Sequence, residues 1–518
     1  MTKPSFYLTT PIYYVNSVPH LGTAYTTVAA DALARYKRMT GHDVFFLTGL
    51  DEHGQKVAQA AADAGLSPQE WCDRIAPRFS EAWEMLRITN DDFIRTTEER
   101  HKHGVQAFWT ELHDRGHLYQ GHYEGWYCVP DETFWTAEQL VDGKCPQCAR
   151  EVEFVREDNW FFKLSEFAEP LLAFYEANPG FIQPETRRNE VVSFVRGGLK
   201  DLSISRTTFT WGVPLPFAEN HVTYVWIDAL LNYITAVGYG DPDKAAEFER
   251  RWPAQYHFVG KDIIRFHCVI WPAMLMAAGV PLPETVFAHG FLLTKGEKMS
   301  KSKGNVMAPA DLVERFGVDA YRYHFLRDVQ FGTDGSISME SMVQRYNGDL
   351  ANDWGNLVSR LFNMTEKYLG GVTPACPEEA EATEADAVMR AVAGALPARY
   401  DKRMAGLDYA GALEAAWDLV KLANRYIENE APWNLAKDEA LVPRLAAVLY
   451  NALESVRIAA LFCAPVMPVT SAEVWRRLGL GDIHDTDDLV TRATWGGLPA
   501  GARVEKGEPL FPRIYEEV

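Results

Sequence analysis

Along the first 60 residues the apolar positions follow two different periods. "SFYLTTPIYYV" is a β-branched and aromatic run, "NSVP" has turn chemistry, and Leu21, Tyr25, Val28, Ala32, Leu33 and Tyr36 then recur at helical spacing before "DVFFLTGLDEHG" returns to strand character. Strand, helix and strand in that order predict a βαβ unit, and hence a parallel sheet with a right-handed crossover. The alternation resumes far downstream: "HVTYVWIDAL" from His221 and "QYHFVGKD" from Gln255 read as strands, "IIRFHCVIWPAMLMAAG" as an apolar helix, and "ETVFAHGFLL" as a further strand. One sheet is therefore expected in two halves, split by an insertion at roughly 116–224 that forms a smaller mixed module.

From about Asp349 the strand signals fade. "ANDWGNLVSRLFNMTEKYL", "YAGALEAAWDLVKLANRYIENEAP" and "VPRLAAVLYNALESVRIAALFCAPVMP" carry helical periodicity and predict a C-terminal all-α bundle over 349–518. "VTPACPEEAEATEAD" is Pro- and acid-rich and reads as an exposed loop. The expected segments are 1–115, 116–224, 225–290, 291–348 and 349–518, and the fold class is α/β. A chain of 518 residues is too long for one core, which agrees with several domains.

Composition narrows the class. With 47% hydrophobic and 24% charged residues the chain is ordinary for a soluble globular protein. No secretory or organelle signal is read at the N-terminus, and no apolar run is read as approaching the roughly 18 residues of a membrane span, so a cytoplasmic protein with no membrane partner is expected. The seven cysteines are an odd number and only three cluster, which points to no disulfide framework and to a reducing compartment. A formal net charge of −20 argues against a protein that coats nucleic acid or binds DNA non-specifically, because such binding rests on phosphate neutralisation. A specific RNA partner stays open. One local basic cluster, "LTKGEKMSKSKGN", runs against the global sign, with Lys295, Lys298, Lys301 and Lys303 against Glu297.

Two short motifs carry chemistry. "PHLGTAY" lies where the first strand gives way to the first helix: a helix N-terminus offers unpaired N–H groups to an anion, Gly22 permits close approach, and His20 can donate to phosphate. Alone, it reads equally as a strand-to-helix turn with a packed histidine. "KMSKS", Lys298 to Ser302, sets two lysines three residues apart in a glycine-bounded loop that could fold over a polyphosphate and oppose charge as pyrophosphate leaves; the bland alternative is a solvated basic loop. A third constellation, Cys128, Asp131, Cys145 and Cys148, has the spacing C-x2-D-x13-C-x2-C. It reads either as a zinc knuckle with a carboxylate in place of one thiolate or as free reduced cysteines.

"HLGT" resembles the HIGH motif and "KMSKS" is the second signature of class I aminoacyl-tRNA synthetases. "TTPIYYVNSVPHLG", "YVWIDALLNYI" and "FVGKDIIRFH" resemble the methionyl-tRNA synthetase family specifically, and the likeness runs from Phe6 to "LFPRI" near the C-terminus. The resemblance implies a split Rossmann-type catalytic domain, a connective insertion, a KMSKS and stem-contact region at 291–348, and an anticodon-binding bundle. It implies a methionine pocket of Ile12, Tyr14, Asp51, Trp226, Ala229, Tyr233, Ile263 and His267, an apolar aromatic slot suited to a polarizable thioether, with Asp51 on the substrate ammonium. It places ATP against His20, Gly22, Gly260, Lys261, Asp262, His289, Gly290 and Lys301. The acting residues are His20, Thr23, Lys298 and Lys301. Thr23 departs from the family, which has a second histidine there, and its hydroxyl is expected to donate to phosphate instead.

Further expectations follow from the family. Mg2+ accompanies ATP, and zinc sits as a structural ion in the knuckle. Asn356, Arg360 and Trp433 read the anticodon of initiator and elongator tRNA(Met) by stacking and edge contacts. The insertion is too short for a large hydrolytic editing domain, and a chain that stops at "LFPRIYEEV" is expected to be a monomer. Three rival readings fit less well. A cysteine-specific synthetase would hold its zinc in the amino-acid pocket rather than the insertion, a non-catalytic RNA-binding paralogue should have lost "HLG" or "KMSKS", and a nucleotidyltransferase of the same fold leaves the bundle unexplained.

Overall fold

The computed structural model describes residues 3–16, 18–146, 148–294, 297–298, 308–379 and 382–515, with the backbone alone at 134, 294, 297 and 298. Its centre is a six-stranded sheet in the order Asp92–Arg95, Asp43–Asp51, Ser5–Tyr14, Tyr256–Gly260, Thr285–His289, Ile182–Gln183. Every neighbouring pair in it is parallel. Chain order reverses between Ser5–Tyr14 and Tyr256–Gly260, and the crevice outside the carboxyl ends of such a pair is where open α/β sheets bind ligands. These two strands pair only at Leu8 with Tyr256 and Thr9 with His257. Beyond them Ser5–Tyr14 runs on beside Asp43–Asp51, with a shift of register between Thr9 and Ile12. Pro11 lies inside that shift and has no N–H to give a ladder. The two halves of the sheet splay apart from there, and the gap is the cleft described below.

Two expectations about this region are corrected. "HVTYVWIDAL" contributes only the strand Val222–Thr223, which pairs with Ser205–Arg206 in a separate small sheet; the rest is the helix Val225–Thr235. A short, wholly apolar run carries no period that separates a buried strand from a buried helix. The insertion is also not one separate module. Leu118–Cys128, Thr133–Trp135, Glu153–Phe162 and Leu202–Ser203 form an antiparallel sheet of their own, but Ile182–Gln183 returns to the edge of the main sheet and pairs with Val286 and Phe287. The two-residue strand has too little pattern to be read.

The bundle is built from the helices Asn356–Leu369, Glu384–Ala405, Tyr409–Glu430 and Val442–Cys463, with the shorter Pro468–Arg477 behind them. Contrary to the sequence expectation, the stretch ending at Cys463 is long and apolar enough to cross a membrane, but its apolar window is 89% buried inside the protein, as befits a core helix. Bundle and catalytic sheet share one continuous core that runs from Phe6 and Leu33 through Tyr321 to Leu453. Arg322 fastens the junction. Fully buried, it donates to Asp31 Oδ2 at 2.6 Å and to the carbonyls of Leu86, Pro465 and Val466.

A candidate active site at the switch point

The helix Leu21–Met39 opens on a cap made by the residues of the first motif. Nδ1 of His20 accepts the N–H of Gly22 at 3.1 Å and of Thr23 at 3.4 Å, while Oγ1 of Thr23 accepts the His20 N–H at 3.0 Å. An accepting Nδ1 leaves the ring proton of neutral His20 on Nε2. A Cβ at Gly22 would lie 3.0 Å from His20 Cε1 and press on this cap. The structure corrects the expectation for Thr23. Its hydroxyl donates to the His20 carbonyl at 2.8 Å, so it holds the cap instead of presenting a proton to a phosphate.

The cleft beyond this cap has a volume of about 450 Å³. It is lined by all eight positions of the expected methionine pocket, Ile12, Tyr14, Asp51, Trp226, Ala229, Tyr233, Ile263 and His267, and by His20, Gly22, Thr23, Gly260, Asp262 and His289. Trp226 stacks on Phe266 with ring centroids 4.5 Å apart. The Tyr233 hydroxyl donates to Nε2 of His267 at 2.7 Å, and Nδ1 of His267 donates to the Ile263 carbonyl at 3.0 Å. Burial lowers the His267 imidazole to about 4, so the floor of this slot is neutral. His289 is likewise lowered by burial and has both ring nitrogens engaged, with Thr26 and with the Gly290 carbonyl.

One charged group faces this apolar slot. Asp51 is 4% exposed, and its Oδ1 is buried without a hydrogen-bond partner among the described residues. Burial first, then Asp228 and Glu132, push its carboxyl well above the ordinary carboxylate range. Asp228 stays ionised nearby. Burial raises it, but the imidazoles of His53, at 2.6 Å, and His101, at 3.0 Å, outweigh burial and hold it at about 2. This His53–Asp228–His101 cluster was not foreseen. The "DEHG" stretch after the second strand was its only local signal, and its partners lie 127 and 175 residues apart in the chain.

Two expected ATP contacts are absent from the cleft lining. Lys261 pairs with Asp334 at 2.7 Å and lies 4.5 Å from the ring centroid of Phe291, which itself lines the cleft. Gly290 lacks a side chain because a Cβ there would meet the Thr333–Asp334 backbone at 2.2–2.3 Å. A lysine after a strand end has the same sequence signature whether it faces a phosphate or a neighbouring aspartate. Lys301 and the side chain of Lys298 lie outside the described residues.

In the insertion, the strand Leu118–Cys128 ends at the first knuckle. One ligand-type atom from each of Cys128, Asp131, Cys145 and Cys148 lies within 4.8 Å of the others. Asp131 Oδ2 stands 3.4 Å from the Cys128 sulfur and 3.1 Å from that of Cys145, and the sulfurs of Cys128 and Cys148 are 3.5 Å apart. Three thiols and a carboxylate on so short a mutual spacing suit a tetrahedral ion that takes sulfur and oxygen ligands. Burial pushes the Cys128 and Cys148 thiols up, the direction that a bound cation reverses.

In the bundle, Asn356 opens the helix Asn356–Leu369 and is exposed, and Arg360 one turn later lies 3.7 Å from Glu428. Ala431, in the left-handed region, ends the helix Tyr409–Glu430, and Pro432 starts a new turn that leaves Trp433 39% exposed. Trp433 is thus not a core tryptophan.

Comparison with known proteins agrees with this geometry. The family model described as "tRNA synthetases class I (M)" matches residues 6–154 and 150–362, and that of the "Anticodon binding domain of methionyl tRNA ligase" matches 376–518. The methionine–tRNA ligase of Streptomyces coelicolor is 51% identical over 99% of this chain and 97% of its own. That of Caldanaerobacter subterraneus subsp. tengcongensis is 51% identical over 99% of this chain and 80% of its own. The solved Mycobacterium tuberculosis methionyl-tRNA synthetase in complex with methionyl-adenylate superposes with a TM-score of 0.93 at 46% identity, covering 98% of this chain and 100% of that one. The apo form of the same protein gives 0.86 at 42% identity, covering 100% and 99%.

Proposed function

The chain belongs to the methionyl-tRNA synthetases of class I, and from that premise we propose how its own residues divide the work of activating methionine with ATP and passing it to the 3′-terminal adenosine of tRNA(Met). The observation that carries the assignment is an apolar slot holding one buried carboxylate oxygen with no partner among the described residues, beside the capped end of the first helix.

The thioether lies among Trp226, Tyr233, Ile263 and His267, where a polarizable sulfur meets aromatic edges and no charge. The ammonium donates to Asp51, which supplies the missing partner and draws the carboxyl back to its ionised form. This sets the substrate carboxylate toward the switch point, where it attacks the α-phosphate of ATP in line. No general base is needed, since the nucleophile is already an anion, and catalysis is positioning plus stabilisation of the leaving pyrophosphate. His20 donates Nε2–H to a phosphate oxygen at the positive end of the helix Leu21–Met39. Asp262, exposed at the cleft edge, takes a ribose hydroxyl. Lys298 and Lys301 would supply positive charge to the leaving pyrophosphate, and Mg2+ bound to the phosphates would add to it.

In the second step the 2′-hydroxyl of the terminal adenosine takes the methionyl group, as class I chemistry implies. Asn356, Arg360 and exposed Trp433 receive the splayed anticodon bases of initiator and elongator tRNA(Met). A missing methyl in an apolar slot is worth only about 1–3 kcal/mol, so homocysteine is discriminated weakly there. Cys128, Asp131, Cys145 and Cys148 would hold zinc, which would supply structural ligation to the insertion and no chemistry to the transfer. The enzyme works as a cytoplasmic monomer. Amino-acid-dependent ATP–pyrophosphate exchange with methionine, cysteine and leucine side by side tests the reading: exchange with methionine alone is expected, and exchange with cysteine or leucine at a comparable rate overturns it.

A further inference from the structure

Knuckle and cleft meet at one side chain. Glu132 follows Asp131 directly, takes the left-handed backbone conformation at φ 48°, and is 3% exposed. Such a conformation is costly for a residue with a Cβ and persists only where the surroundings enforce it. The backbone of Glu132 is held on both sides. Its N–H donates to the Val129 carbonyl at 3.3 Å, closing the knuckle turn, and its carbonyl accepts the Tyr224 hydroxyl. The carboxylate is turned out of the knuckle and into the catalytic half. Oε2 accepts the Tyr14 hydroxyl at 2.5 Å, and Oε1 accepts the Lys56 backbone N–H at 3.1 Å.

The facing segment is shaped around this contact. Gly54, at φ 100°, has no room for a side chain, since a Cβ would lie 2.6 Å from Glu132 Oε1 and 2.7 Å from the Tyr14 hydroxyl. Lys56 Nζ donates to the Pro130 carbonyl at 3.0 Å and lies 5.3 Å from the Tyr14 ring centroid. The Tyr14 hydroxyl has one proton and a second acceptor, the His53 carbonyl at 2.9 Å. The geometry points to Glu132 as a positioning residue for methionine binding, which reaches from the connective insertion to fix the ring of Tyr14 at the wall of the amino-acid slot. The inference rests on the assignment of Tyr14 to that slot.

Intrinsic tryptophan fluorescence, with Trp226 in the slot, reads methionine binding without ATP, and ATP–pyrophosphate exchange reads the Michaelis constants. Glu132→Ala is expected to raise the Kd and KM for methionine about tenfold, the loss of one charge-assisted hydrogen bond, with kcat and the KM for ATP unchanged. Glu132→Gln is expected to restore binding: its amide NH2 donates to the Tyr14 oxygen, Tyr14 donates to the His53 carbonyl, and its amide oxygen still accepts from Lys56. In a Tyr14→Phe background Glu132→Ala should add nothing further, because the hydroxyl through which it acts is gone. Metal content, measured on every variant, should equal that of the parent.

A Glu132→Ala effect of equal size in both backgrounds, a Gln variant as impaired as the Ala variant, or loss of metal from Glu132→Ala alone would each overturn the positioning role. The two failures are separable. If Tyr14→Ala, which removes the ring itself, binds methionine like the parent, the slot assignment falls and this inference with it; if Tyr14→Ala is impaired while Tyr14→Phe or Glu132→Ala is not, only the positioning role falls.

Discussion

The Tyr233 hydroxyl donates to Nε2 of His267 across 2.7 Å, and that bond fixes the character of the amino-acid slot. With Nδ1 held by the Ile263 carbonyl, the ring has one tautomer, and burial lowers it to about 4. A charged imidazole here would repel nothing in methionine's side chain but would need hydration that the slot does not offer. Tyr233→Phe leaves Nε2 buried without its donor. The expected result is a methionine KM raised about tenfold, with an unchanged KM for ATP, measured by ATP–pyrophosphate exchange.

Asp51 supplies a second prediction with a definite sign. Its carboxyl is raised by burial and by Asp228, so in the free enzyme it takes up a proton at a higher pH than an ordinary aspartate. The substrate ammonium favours the ionised form, so methionine affinity should fall as pH drops through that raised pKa. His267, at about 4, titrates lower and does not contribute to the same limb. The folded state binds more protons than the unfolded state between the two Asp51 pKa values, so this residue costs stability as pH rises. Asp51→Asn should therefore raise Tm at neutral pH, abolish the acid limb, and lower kcat/KM for methionine by about 100-fold or more, as the loss of a buried charge pair implies. A Tm that falls instead would mean that Asp51 is held by a structural partner.

The strand-to-helix turn that holds His20, Gly22 and Thr23 is legible in the sequence because its punctuation is local. Asp51, Trp226 and Tyr233 are legible only through the family resemblance, because a strand end and a helical spacing of seven fit core packing as well. What stayed hidden depends on contacts across the chain. Lys261 pairs with Asp334, 73 residues on, a contact that no local pattern signals. Glu132 looks like part of a knuckle until Tyr14, 118 residues away, is found on its carboxylate. Thr23 differs from its expectation for a local reason: a threonine three residues after a cap residue serves the cap first, because that partner is already in reach. The strand Ile182–Gln183 was missed because two residues hold no period.

The knuckle gives a third prediction. Protein purified without added metal should carry one zinc per chain by plasma emission spectroscopy. Asp131→Cys should keep the ion, since a thiolate replaces a carboxylate without change of ligand charge. Asp131→Ala should lose it and lower Tm, while the main sheet stays folded, because the knuckle belongs to the antiparallel sheet of the insertion. A parent protein with no zinc would leave reduced cysteines as the correct reading.

The role proposed for Trp433 gives a prediction that separates recognition of tRNA from activation of the amino acid. Trp433 is 39% exposed, on a turn that Pro432 starts and the left-handed Ala431 points outward, so its ring packs only in part against its own domain. A stacking contact with one base is worth about 1–3 kcal/mol, which sets the scale of the effect. Trp433→Ala should raise the KM for tRNA(Met) in aminoacylation about 5- to 100-fold while leaving methionine-dependent ATP–pyrophosphate exchange unchanged. Truncating a partly exposed side chain away from the core should cost within about 0.5 kcal/mol, so Tm should hold. Loss of both activities with a lowered Tm would assign Trp433 to the architecture of the bundle; loss of tRNA charging alone is the result expected if a base stacks on its ring.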